Sequence, residues 1–98
     1  MSQKSGAARR EPTFTEKQGQ YLAFIYTYAY MFHRAPAETD MQRHFQVSPP
    51  SVHQMILTLE RNGLIRRQPG LARSIEILVA PEDLPILEWL KIYPSKSL

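Results

Sequence analysis

Residues 38 to 63, ETDMQRHFQVSPPSVHQMILTLERNG, decide the fold. Ser48-Pro49-Pro50 marks a helix start, because Ser is a strong N-cap and Pro in the first turn loses no hydrogen bond it could have made. Val52, Met55, Ile56 and Leu59 then recur at three- and four-residue steps and form one apolar face. Asn62-Gly63 is a helix stop. The spacing predicts a helix from Pro49 to about Asn62. Just before it, Met41 and Phe45 share a face, and Glu38 and Asp40 sit where a helix dipole favours negative charge. A shorter helix is expected from Glu38 to about Phe45, with a poor cap if Ala37 holds that position. Only a few residues separate the two helices.

Working outward, Thr15 and Gln18 have capping-box spacing. Tyr21, Ile25, Tyr28, Ala29 and Phe32 follow with helical periodicity to about His33, and Pro36 closes that helix by restricting the residue before it. On the other side, Leu64–Gln68 and Ser74–Val79 read as strands. In the second, Ile75, Ile77 and Val79 alternate with Glu76 and Leu78. Pro69-Gly70 turns the chain, so a hairpin with its loop near Pro69 to Arg73 is expected. Beyond Pro81, Leu84, Leu87 and Leu90 suit a helix; Ile86, Leu90 and Ile92 suit a strand; Pro85 opposes a long helix. The expected organisation is a flexible basic arm over 1–13 (Lys4, Arg9, Arg10), a domain over 14–80 and an apolar tail over 81–98. The class is α+β, mostly α: a winged helix-turn-helix of three helices plus a two-stranded β-hairpin wing. A short turn between two helices of one core leaves the second able to enter a major groove.

Composition narrows the function. The 98 residues are 43% hydrophobic and 21% charged, with net charge +3, as a folded single domain should be. There is no Cys, which excludes a disulfide scaffold, thiolate-bound zinc and a thiol nucleophile. No apolar run approaches the ~18 residues of a membrane span. The polar start MSQKSGAARREP lacks the apolar stretch of a signal peptide. A cytoplasmic, nucleoid-associated protein with no membrane partner is expected. His33, His44 and His53 show no metal-ligand spacing with the carboxylates, and no Ser/His/Asp or paired-carboxylate arrangement stands out. Neither a metal, a cofactor, a small-molecule ligand nor an enzymatic activity is expected.

Phe14 to Val79 resembles the N-terminal DNA-binding domain of LexA repressors. Phe14-Thr15-Glu16-Lys17-Gln18 at the first helix, Ala35-Pro36 before the second, Leu59-Glu60-Arg61-Asn62-Gly63-Leu64-Ile65 into the wing and Pro69-Gly70 at its tip carry the likeness. The segment from Val47-Ser48-Pro49-Pro50-Ser51-Val52 to Leu59-Glu60 is also similar to MarR-type and DtxR-type regulators. The resemblance implies a sequence-specific duplex-DNA-binding transcriptional regulator. LexA repressors continue into a self-cleaving domain with a Ser and Lys pair, which these residues do not contain, so autocleavage is not implied. DtxR-type proteins use metals through further elements. Many helix-turn-helix units carry Gly in the turn where Gln46 stands here. A positive φ at Gln46 would cost up to about 1 kcal/mol.

At 100° per residue, Pro50, Gln54, Leu57 and Arg61 lie opposite the apolar face of the third helix, flanked by His53 and Thr58. Pro50, Ser51, His53, Gln54 and Thr58 are the expected base-side residues, with Gln54 able to bond an adenine edge in bidentate fashion. Ser48, Ser51 and first-turn amides suit a phosphate. Arg66, Arg67 and Arg73 flank the wing tip and are expected on the backbone or in the minor groove. Phe24 and Met31 on the first helix, with Leu87, Trp89 and Leu90 in the tail, are more apolar surface than one core needs, so a symmetric homodimer is expected. A winged helix can instead serve as a protein-interaction module. Steep weakening by salt belongs to DNA binding through arginines, not to docking on an apolar patch.

Overall fold

A computed structural model describes residues 14–88. The expected arm over 1–13 lies outside the described residues, as do Trp89, Leu90 and the rest of the tail beyond Glu88.

Helix α1 spans Glu16–Phe32. Its capping box is complete: Thr15 Oγ1 accepts from the Gln18 amide at 3.1 Å, and Gln18 Oε1 accepts from the Thr15 amide at 2.9 Å. Helix α2 spans Glu38–Phe45. Ala37 occupies its N-cap without a side-chain acceptor, and Asp40 compensates by accepting the Ala37 amide at 2.7 Å. The three-residue turn Gln46-Val47-Ser48 leads into α3, Pro49–Arg61. Gln46 does take φ 55°, the left-handed conformation that glycine tolerates better. The Val47 amide folds back onto the Gln42 carbonyl at 3.2 Å, so the turn closes α2 despite the side chain. Ser48 Oγ caps α3 by accepting the Ser51 amide at 3.3 Å. At the far end Gly63 (φ 75°) bonds the Glu60 carbonyl and Leu64 the Leu59 carbonyl, both at 3.0 Å. This is the Schellman pair that ends a helix at glycine.

The core lies among the three helices and the root of the hairpin. Leu22, Met41, Val52, Ile56 and Leu59 have no exposed surface, and Tyr21, Ile25, Leu64 and Ile65 are buried with them. The predicted stripe of α1 differs in detail. Leu22 joins the core, whereas Phe32 is exposed, because the buried residues of α1 stop at Ile25 and its last two turns run past the core. Tyr21 stacks on Phe45 with ring centroids 4.1 Å apart, and Phe24 stacks on His44 at 4.6 Å. Phe24, expected at an intermolecular contact, is thus half-buried against its own chain.

The hairpin is shorter than the sequence predicts. Strand β1 is Ile65–Arg66 and β2 is Glu76–Ile77, antiparallel, with Ile65 opposite Ile77 and Arg66 opposite Glu76. The ladder stops there for local reasons. The Gln68 amide donates to Ser74 Oγ at 2.9 Å, Pro69 has no amide to give, and Arg73 takes φ 55°. The Leu71 amide closes on the Gln68 carbonyl at 3.1 Å across Pro69 and Gly70 (φ 77°), the residue pattern of a type II turn.

After a 3₁₀ turn at Pro81–Asp83 the chain lies back across α1 as neither helix nor strand through Leu87. Gln20 Nε2 donates to the Ile86 carbonyl at 3.1 Å, and the Glu88 amide donates to Gln20 Oε1 at 2.8 Å. A Cβ on Gly19 would stand 3.0 Å from the Phe14 ring and 3.1 Å from Pro85, so glycine lets the chain cross closely here and a larger residue would push both side chains aside. Leu87, 2% exposed, is enclosed by its own chain and not left over for a partner.

Candidate nucleic-acid interface

Because Val52, Ile56 and Leu59 turn inward, the opposite side of α3 faces solvent. Ser48, Pro50, Ser51, His53, Gln54 and Arg61 are exposed there, while Met55, Leu57 and Thr58 are half-buried. Gln18 of α1 joins them, lining a shallow depression with Pro50, Ser51, Gln54, Met55 and Thr58. Its place in a capping box was all the sequence told of Gln18. Its proximity to Gln54 arises from how α1 crosses α3.

The start of α3 departs from one expectation. Pro49 and Pro50 carry no amide, and the Ser51 amide is already taken by Ser48, so these first-turn amides are not open to a phosphate. Hydroxyls take their place: Ser48 donates to Ser51 Oγ at 3.0 Å, and the Ser51 proton can point outward. Further along, Thr58 Oγ1 donates to the Gln54 carbonyl at 2.9 Å and accepts from Arg61 at 3.4 Å, which ties both side chains to the helix itself.

The three wing arginines are not equivalent. Arg66 pairs across the strands with Glu76 at 2.9 Å, with 67% of its side chain exposed. Such a solvated pair contributes little and exchanges readily with another anion. Arg67 is 26% exposed and reaches Glu60 at 3.1 Å and Glu38 at 3.9 Å. Glu38 also faces His53 Nδ1 at 3.4 Å, so one carboxylate joins α2, the outward side of α3 and the wing. Arg73 does not stand at the tip. Its Nη1 turns into the body of the domain, to the Tyr28 hydroxyl at 3.2 Å, the Ala35 carbonyl at 3.2 Å and Asp40 Oδ2 at 3.1 Å. Each of the three wing arginines thus faces at least one carboxylate: Glu76, Glu60 with Glu38, and Asp40.

Burial by itself would raise the Asp40 carboxyl, but the Ala37 amide, the Arg73 charge, the Tyr28 hydroxyl and Arg43 outweigh it. Together they hold Asp40 below the ordinary carboxylate value. Burial against Phe24 and Phe45 pushes the His44 imidazole down. Among the described residues no three His, Asp or Glu side chains group as metal ligands do, and no helix is long and apolar enough to cross a membrane.

A three-helix core with a three-residue turn before an outward third helix, followed by a hairpin, defines a winged helix-turn-helix domain. Sequence comparison gives the family. The chain belongs to the family described as iron dependent repressor, N-terminal DNA binding domain, which matches residues 13–72. It is a DNA-binding domain of transcriptional-repressor type. It is similar to the LexA repressor of Thermosipho africanus (strain TCF52B), at 35% identity over 72 residues, 74% of this chain and 36% of the relative. The LexA repressor of Zymomonas mobilis subsp. mobilis (strain ATCC 31821 / ZM4 / CP4) is 34% identical over 70 residues, 70% of this chain and 32% of the relative. That of Erythrobacter litoralis (strain HTCC2594) is 37% identical over 71 residues, 71% of this chain and 30% of the relative. The chain thus spans about a third of the length of these curated relatives. The family description names iron, but the described residues do not fit an iron site: Asp40 is committed to Arg73 and the Ala37 amide, and Glu38 and Glu60 to Arg67.

Proposed function

We propose that the chain regulates transcription in the cytoplasm by binding duplex DNA at preferred sequences. The first half of α3 enters the major groove, with Pro50, Ser51, His53 and Gln54 toward the bases. Gln54 offers a donor and an acceptor on one planar amide, the pattern that pairs with an adenine edge. Arg66 reaches a phosphate by exchanging Glu76 for it, whereas Arg67 and Arg73 stay with their carboxylates. The observation that carries this reading is the outward side of α3, whose exposed polar side chains the core does not need.

The chain works as a two-fold homodimer in this proposal. Tyr26, Tyr30, Met31 and Phe32 are exposed on the last turns of α1, beyond the reach of the core. Pairing two copies through them would hide this patch and present two α3 helices to one face of the duplex. Phe24 and Leu87 support the contact from beneath and do not form it.

Selection of bound sequences from a random duplex pool tests both parts. An inverted repeat with half-sites about one helical turn apart is expected, with affinity falling steeply as salt rises. No sequence enrichment, or binding indifferent to salt, overturns the DNA reading and favours a protein-interaction module. Enrichment of a single half-site by a sedimenting monomer overturns the dimer.

A further inference from the structure

The three acceptors of Arg73 come from three separate parts of the chain. Tyr28 is on α1, Ala35 is in the connection after it, and Asp40 is on the first turn of α2. The Asp40 carboxylate that receives the guanidinium is the same group that caps α2 through the Ala37 amide, and its side chain is 13% exposed. The guanidinium carbon also lies 6.0 Å from the centre of the Tyr28 ring. Arg73 itself takes φ 55°, a conformation that costs an arginine energy and persists where its surroundings offset that cost. The return limb of the wing is therefore bent so that one side chain can reach the helices. The ladder between the strands is only two residues long, and Ile65, Ile75, Ile77 and Val79 root it on the core by packing that has no directional bonds, so Arg73 adds directional bonds from the return limb to the helices.

We infer that Arg73 is a positioning residue: through Asp40 and Tyr28 it fixes the wing against the helix-turn-helix, so that the wing and α3 meet the duplex together. It acts without touching DNA. This inference rests on the DNA-binding reading above.

The alternative is that Arg73 contributes charge to a phosphate, and the two ideas predict opposite signs. Removing the Asp40 charge makes the surface more positive. If charge governs, D40N binds DNA more tightly. If position governs, D40N binds several-fold more weakly, although Asn can still accept the Ala37 amide. R73K keeps the charge, but its ammonium ends one bond short of the Nη1 position at which all three acceptors converge. Y28F alters no charge and removes one acceptor.

The experiment is hydroxyl-radical footprinting and salt titration of these three variants beside wild type on the selected duplex. In each variant the inference expects weaker wing-side protection with α3 protection retained. The salt slope should fall by about one unit per wing phosphate lost. R73K with wild-type footprint and slope, or D40N with tighter binding, overturns it. So does loss of helical circular dichroism in all three variants, since Arg73 would then hold the whole domain together and not the wing. If wild type binds no duplex, the DNA reading fails on its own. The lock is then read by amide exchange at Gln68 and Leu78, whose hydrogen bonds close the hairpin. Faster exchange there in R73K, with Val52 and Leu59 unchanged, supports the positioning role; unchanged exchange overturns it.

Discussion

The helix-turn-helix and the wing are held by different physics. The first is apolar burial: Met41, Val52, Ile56 and Leu59 have no exposed surface and meet side chains brought close by short connections. The wing shares that burial only at its root, through Ile65, Ile75, Ile77 and Val79; beyond it there are two ladder pairs and a set of arginine contacts. Arg67 ties it to Glu60 and Glu38, and Arg73 to Asp40, Tyr28 and Ala35. Burial is non-directional and tolerates small errors of angle. A guanidinium with three acceptors does not. The part expected to read bases is thus rigid by packing, while the part expected to touch backbone is packed only at its root and adds a few polar atoms to hold its angle.

Substitutions test this contrast most sharply at its apolar end. Ile56→Ala empties a fully buried site and should cost ~2–5 kcal/mol, lowering the urea midpoint of the whole domain. Loss confined to the DNA complex would mean that α3 is not held by the core. Gln54→Ala should leave stability intact and cost ~1–3 kcal/mol on the preferred duplex, with one base pair relaxed and random duplex hardly affected. Equal losses on both duplexes would remove Gln54 as a reader. Ser48→Ala removes the α3 cap and should lower stability by ~1 kcal/mol in thermal denaturation.

Asp40 supplies a pH test of the polar end. Its carboxyl titrates lower in the fold than in the unfolded chain, so its contribution is complete above the unfolded value of ~3.9 and disappears as pH falls through the folded value. Thermal midpoints should therefore fall more steeply below about pH 4 in wild type than in D40N. Parallel curves would show that Asp40 does not hold the wing. The smallest effect should come from Arg66→Gln. It removes an exposed pair, so stability should not change, while the salt slope of DNA binding falls by about one unit. An unchanged slope would take Arg66 off the backbone.

Several elements were legible because their signals are local. Thr15 with Gln18, Ser48 before two prolines, and Asn62-Gly63 each specify a boundary through bonds that reach no further than five residues, and all three act as read. The cost at Gln46 was also legible, since backbone sterics depend on one residue. The outward side of α3 followed from helical phase alone. Charge read along the chain did not show the partners of Arg66, Arg67 and Arg73, which are close in sequence but reach carboxylates ten, seven and thirty-three residues away.

The sequence by itself determined the three helices, their ends, the turn between α2 and α3, and which face of α3 points outward. Tertiary structure alone decided that Leu87 and Phe24 serve their own chain, that Gln18 stands beside Gln54, and that Arg73 turns inward. The physical reason is range. Caps, turns and amphipathic phase are set by neighbours within a turn or two. The fate of a long polar or apolar side chain depends on what the folded chain brings within a few ångströms of it. For Arg73 that is a carboxylate, a phenol and a carbonyl from three different segments.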